Sequence, residues 1–198
     1  MNYNMNIQKI KFYDEISDAS EVAPNLWQVS NCFSPTTLVW LQSIYQTAGN
    51  EFIAGDLKKR LQLKFGSQDY ARLNQIGLDM LPEMCRLFEH DLRFVEVKYW
   101  VDLPQFGCQM HSDSEDLLCS YQIYLESSNR LVKKFTTTCV TEQELLAEGA
   151  IFDHVDPPCQ IEFAPNNGYI NWNSDLKPHW VPGRWDTRIS VMFQYGRV

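Results

Sequence analysis

Apolar positions with helical spacing come first in this chain, and short apolar or alternating runs follow. Leu38, Leu41, Ile44 and Tyr45 fall on one helical face. Ser34-Pro35 stands before them, a capping hydroxyl followed by a proline suited to a first turn, and Gly49 marks the stop. A second periodic run holds Tyr70, Leu73, Ile76, Leu78, Met80, Leu81, Met84, Leu87 and Phe88 behind a capping Ser67. Pro82 lies inside it and predicts a kink or an interruption, because proline removes one hydrogen bond and crowds the preceding turn. Thr141-Glu142-Gln143-Glu144 has the capping-box pattern and opens a short third helix that Gly149 ends. Residues 1–33 have no readable period. The stretches 94–101, 117–125, 131–140, 160–163, 168–172 and 187–195 are rich in aromatic and β-branched residues and predict strands.

Helices followed by many short strands predict a mostly β fold with supporting helices. The expected form is a double-stranded β-helix, a cupin-like jelly roll, preceded by helices. The chain is expected to be one domain over 1–198. Residues 1–93 form helical or mixed support and 94–198 the jelly-roll core. The last strand is the most readable. Arg188, Ser190, Met192 and Gln194 share one face, and Ile189, Val191, Phe193 and Tyr195 the other, because successive side chains alternate. The apolar set is expected in the core and the polar set in a cavity.

Composition narrows the functional classes. The 198 residues include 44% hydrophobic and 13% aromatic residues, enough for a sizeable core. A formal charge of −8 argues against a partner such as duplex nucleic acid, whose affinity comes mainly from Lys and Arg. No segment has the apolar length of a membrane span. The polar start, Met1 to Asn6, lacks the apolar stretch of a secretory signal. Six scattered cysteines without a C-x-x-C pair fit reduced thiols in a cytoplasmic protein.

Candidate chemistry centres on His111-Ser112-Asp113, then His179, then Arg188. Two imidazoles and one carboxylate can take three adjacent corners of an octahedral ion and leave three open, the facial arrangement of non-haem Fe(II) oxygenases. An arginine fork past the second histidine suits a small dicarboxylic acid. Each piece also has a plainer reading: His179 as a surface turn, Arg188 as a structural ion pair, Tyr124 as a core aromatic. A second H-x-D, His154-Val155-Asp156, runs into Pro157-Pro158 and reads as a loop. His90 reads as a helix C-terminus, where a cation is favourable.

Together these residues resemble the Fe(II)/2-oxoglutarate-dependent dioxygenases, in the prolyl-hydroxylase-like branch, over about residues 94–196. His111-x-Asp113, Tyr124-Leu125, Pro165-Asn166-Asn167-Gly168-Tyr169-Ile170, His179 and Arg188-x-Ser190 carry the resemblance. It implies that His111, Asp113 and His179 hold Fe(II) and serve as the catalytic metal centre. Arg188, Ser190 and Tyr124 would then seat the far carboxylate of the co-substrate 2-oxoglutarate. O2 would be the second co-substrate, and succinate and CO2 would leave as a peptide, amino acid or small-molecule substrate is hydroxylated. The Gly-Gly usual after the Tyr-Leu strand is replaced by Glu126-Ser127-Ser128-Asn129-Arg130. Gln194 stands where nucleic-acid demethylases carry a second arginine, which disfavours nucleobase repair. Asp113 stands where halogenases carry a small residue, which favours hydroxylation. Tyr99, Trp100, Trp172, Asn173, Trp180 and Trp185 are candidates for the pocket mouth. Two alternatives are a jelly-roll binding module without catalysis and a cupin holding a redox-inert ion. The sequence does not determine an oligomeric state.

Overall fold

The computed structural model describes residues 7–55, 59–106, 108–111, 113–114, 116–127, 132–135, 159–172, 179–181 and 187–198. Residues 1–33, which have no readable period, form strands β1 (Ile7–Phe12), β2 (Glu15–Ala23) and β3 (Leu26–Ser30). Their apolar alternation is short: Ile10 and Phe12 are buried while Lys9 and Lys11 face solvent.

Helix α1 (Pro35–Thr47) begins where the capping residues predict, with the Ser34 hydroxyl accepting from the Thr37 N–H at 3.3 Å. Helix α2 (Gln68–Phe88) begins in the same way, the Ser67 hydroxyl accepting from the Tyr70 N–H at 3.1 Å. Pro82 does not interrupt α2. The turn that loses its hydrogen bond there lies at Leu78, which is 43% exposed, so water can satisfy the freed carbonyl. Leu78 therefore sits outside the core despite its helical spacing. The capping-box segment 141–149 and the end of the strand expected at 131–140 lie outside the described residues.

The remaining strands are β4 (Phe52–Ala54), β5 (Arg60–Leu63), β6 (Leu92–Asp102), β7 (Cys108–His111), β8 (Leu117–Ser127), β9 (Val132–Phe135), β10 (Cys159–Glu162), β11 (Asn167–Trp172), β12 (His179–Val181) and β13 (Arg188–Arg197). Among the described residues they make two antiparallel sheets. The larger runs β1-β2-β3-β11-β8-β13-β6-β5-β4 and the smaller β10-β9-β12-β7. Strands β6 to β13 are shared between the two sheets, four in each, which is the jelly-roll arrangement.

The larger sheet has two different faces, as the alternation in β13 predicts. Ile189, Val191, Phe193 and Tyr195 join Val97, Tyr99, Val101, Tyr121, Ile123 and Ile170 in one buried cluster with Leu41 of α1 and Leu73, Ile76 and Met80 of α2. A fully buried aliphatic or Phe side chain contributes about 1.5–3 kcal/mol by leaving water, so this cluster is the main source of stability. Two of its tyrosines bond their hydroxyls to helix carbonyls: Tyr99 donates to Leu41 O at 2.8 Å and Tyr195 to Gly77 O at 3.1 Å. The opposite face meets the smaller sheet in a second cluster, where Ile161 of β10 and Phe163 pack on Tyr124 and Tyr169.

The N-terminal strands are tied to the jelly roll at Asn166. Its left-handed backbone (φ 61°), tolerated by Asn better than by most residues, ends the turn into β11. Its side chain bonds both backbone groups of Phe33, accepting at 2.9 Å and donating at 2.8 Å.

Candidate active site

Register positions the metal candidates. Strands β7 and β12 pair antiparallel with His111 opposite His179, a placement that brings the two Cα atoms to about 4.5–5.5 Å. The side chain of His111 lies outside the described residues. His179 is buried at 3% exposure, and its Nε2 lies 3.8 Å from Oδ1 of Asp113. Asp113 is held from behind, its Oδ2 accepting from the Ser120 hydroxyl at 3.2 Å. That bond is the kind of outer support that orients a ligating carboxylate. Among the described residues no three His, Cys, Asp or Glu side chains converge as a ligand group; Asp113 and His179 are the part that is described. Adjacent ligand atoms each about 2.1 Å from one octahedral ion are about 3.0 Å apart, so the 3.8 Å pair is wider than a facial set and would draw in by just under 1 Å to share an ion. His154 and Asp156 lie outside the described residues. His90 follows the end of α2, and its ring stacks on Trp172 at 5.1 Å.

The inner face of the larger sheet is a ladder of polar rows. Ser190 pairs with Tyr124 on β8 and with Trp100 on β6, Met192 with Gln122, and Gln194 with Ser120. The Ser190 hydroxyl accepts from the Gln122 amide at 3.0 Å, and the Gln122 carbonyl accepts from the Tyr169 hydroxyl at 2.7 Å. Ser190 keeps its own hydrogen to donate.

Arg188 is 3% exposed and lies against Phe163, with its guanidinium carbon 4.4 Å from the ring centre. One arm of its fork is ion-paired with Asp102, its register partner on β6. Asp102 also takes two bonds from Arg60 of β5, 2.6 Å from Nε and 3.2 Å from a terminal nitrogen. Sequence reading missed Asp102 and Arg60. The signal for Asp102 is present in β6, where Lys98, Trp100 and Asp102 alternate with the apolar Val97, Tyr99 and Val101.

Two buried donors of this face have no hydrogen-bond partner among the described residues: the Tyr124 hydroxyl and Arg188 Nε. Burial pushes the Tyr124 phenol up, and the nearby Arg188 draws it back only in part. It is therefore a neutral O–H donor, and a neutral hydroxyl beside a guanidinium nitrogen suits a carboxylate.

The mouth candidates divide by parity along their strands. Tyr99 and Trp172 are corrections. Both belong to the helix-facing core, Trp172 stacking on Phe88 at 4.5 Å. Trp100 is on the inner face, its Nε1 donating to Gln62 at 3.3 Å. Asn173, Trp185 and the side chain of Trp180 lie outside the described residues. Of the cysteines, Cys32, Cys85 and Cys119 are free, and burial pushes the Cys32 and Cys119 thiols up, which makes them inert.

No protein-family model and no curated protein matches the chain. Solved structures do. HygX from Streptomyces hygroscopicus, with nickel and 2-oxoglutarate bound, superposes with a TM-score of 0.66 at 10% identity, covering 88% of this chain and 83% of that one. An oxidoreductase of the 2OG-Fe(II) oxygenase family from Burkholderia pseudomallei gives 0.66 at 12% identity over 90% and 87%. A Pseudomonas putida prolyl-4-hydroxylase gives 0.56 at 16% over 88% and 93%. The chain has the fold of these 2-oxoglutarate oxygenases. Among the described residues no helix is long and apolar enough to cross a membrane.

Proposed function

We propose that the protein is a cytoplasmic Fe(II)- and 2-oxoglutarate-dependent oxygenase that hydroxylates a peptide, amino acid or small molecule. The observation that carries this reading is the approach of Asp113, two residues past β7, to His179 at 3.8 Å, with His179 opposite His111 in register. Asp113, His179 and His111 would hold the iron, and Arg188, Ser190 and Tyr124 the far carboxylate of 2-oxoglutarate. Iron and 2-oxoglutarate together would supply oxidative decarboxylation coupled to oxygen insertion into a C–H bond.

The chain's own residues contribute orientation and dryness. Ser120 fixes the Asp113 carboxylate so that one oxygen is committed to the serine and the other faces His179. Arg188 provides a positive charge on a planar fork. Tyr124, with no exposed surface, provides a hydrogen-bond donor on a ring packed against Phe163. In such a water-poor setting each charge-assisted bond is stronger than at the surface.

A second reading is a jelly-roll binding module without catalysis. It takes support from the Asp102 carboxylate, which already lies on Arg188. One experiment separates the two. Anaerobic addition of Fe(II) and then 2-oxoglutarate should give a weak visible charge-transfer band, which Asp113→Ala and His179→Ala abolish. A binding module gives no band. Succinate release coupled to a mass gain of one oxygen then screens for the substrate.

A further inference from the structure

Arg60, Asp102 and Arg188 stand in one row across three neighbouring strands. The register pairs Arg60 with Asp102 and Asp102 with Arg188. All three side chains are almost excluded from solvent, at 10%, 2% and 4% exposure. Two guanidinium groups share one carboxylate, so among the described residues the row carries one surplus positive charge (2 − 1 = 1). Buried charges are expected to be paired, and an odd buried cation is costly until an anion arrives. The Tyr124 hydroxyl and Arg188 Nε, both buried and without partners among the described residues, lie at the same end of the row. Tyr124 is near enough to both Arg188 and Asp102 to respond to their charges.

Arg60 is unusually well built for a residue on a short strand. Its guanidinium carbon sits 3.9 Å from the centre of the Trp100 ring and 4.2 Å from that of Phe106, between two aromatic faces. Phe106 is brought there by a turn whose N–H bonds to Leu103 O at 3.0 Å, while Leu103 N bonds to Lys59 O at 2.8 Å. The fork holds Asp102 through two bonds. Arg188 has only one terminal nitrogen on that carboxylate.

We propose that Arg60 is a positioning residue for the co-substrate site: by neutralising Asp102 it leaves Arg188 its full charge for an incoming carboxylate. The inference rests on the 2-oxoglutarate reading above. Without Arg60, Asp102 would cancel Arg188 (1 − 1 = 0) and repel the acid that Arg188 should bind. With Arg60 in place, Asp102 becomes a neutralised strut that holds the Arg188 fork in one orientation.

The test is calorimetric titration of 2-oxoglutarate into the protein loaded with Mn(II), which occupies the metal site without turnover. Arg60→Gln should weaken 2-oxoglutarate binding by about tenfold or more, a gap of about 1.4 kcal/mol or more, and leave Mn(II) affinity unchanged. Arg60→Lys should retain most of the affinity, because the charge survives. Adding Asp102→Asn to Arg60→Gln should restore binding, because the surplus charge returns to one. A purely structural role predicts the reverse, since a second cut in the network then damages it further. Should Arg60→Gln not fold, Asp102→Asn alone gives the same information. Its surplus rises to two, and binding should be at least as tight as in the parent protein. Parent binding with an unaffected Arg60→Gln, an unrescued double variant, or a folded Asp102→Asn protein that binds more weakly overturns the role of Arg60. A parent protein that takes up Mn(II) but no 2-oxoglutarate overturns the reading of the whole site.

Discussion

Replacing Tyr124 with Phe should move stability and ligand affinity in opposite directions. The hydroxyl is fully buried and has no hydrogen-bond partner among the described residues. A buried polar group left unsatisfied costs about 1–3 kcal/mol, and removing it while keeping the ring relieves that cost. The ring itself should stay, packed on Phe163 at 4.3 Å between centroids. Without ligand, Tyr124→Phe should therefore melt at or above the parent temperature. For a protein of this length 1 kcal/mol corresponds to about 2–4 °C. With 2-oxoglutarate the sign reverses. The phenol keeps its proton because burial pushes its pKa up, so it can donate to a carboxylate. Hydrogen bonds to charged groups contribute about 1.5–3 kcal/mol, which predicts about 10- to 150-fold weaker binding. Thermal melting with and without 2-oxoglutarate and Mn(II) measures both halves. A variant that is less stable without ligand, or that binds as tightly as the parent, would refute the claim that this hydroxyl waits for an anion.

Three further outcomes follow from local geometry. Gly77→Ala should lower the melting temperature even though alanine is the better helix former by about 1 kcal/mol. Its new methyl would lie 2.2 Å from the Phe94 ring, and overpacking of this kind costs about 1–3 kcal/mol; a higher melting temperature would contradict it. Burial raises the Asp14 carboxyl, but hydrogen bonds from Ser34 and Thr37 outweigh it and hold the group below its ordinary 3.8. Its stabilisation is present above that value and lost as pH falls through the lowered one. Asp14→Asn should thus melt lower than the parent at neutral pH, with the gap closing in acid; a gap independent of pH counts against the clamp on α1. Ser120→Ala should weaken Mn(II) binding about 10- to 100-fold, the usual effect of removing an outer-shell partner; unchanged affinity argues that Asp113 is not a ligand.

Much of this architecture was legible because the relevant signals are local. Ser34 and Ser67 announce their helices, and β13 alternates strictly enough to separate Arg188 and Ser190 from Ile189 and Val191. The same parity argument reaches Tyr99, which shares the phase of Val97 and Val101 and belongs to the core, whereas Trp100 shares the phase of Asp102. Strands β1–β3 are harder to read, since their inward positions include Ser17 and Ala19 beside Ile10 and Phe12. Parity gives the faces of Asp102 and Arg188, but their contact with each other and with Arg60 is not legible in one dimension. The three become neighbours only through strand order and register, and no spacing along the chain encodes a lateral contact between β5, β6 and β13.

Strand β13 lies between β8 and β6, at the middle of the larger sheet, although it follows all the other described strands in sequence. During synthesis, everything up to residue 187 can emerge while β6 and β8 still present unpaired backbone N–H and C=O groups to each other and to other molecules. Such a nascent chain is aggregation-prone until β13 slides between them. That segment also brings Arg188, so the step that completes the sheet is the step that completes the proposed anion pocket. A shortened product lacking it should be insoluble rather than merely inactive.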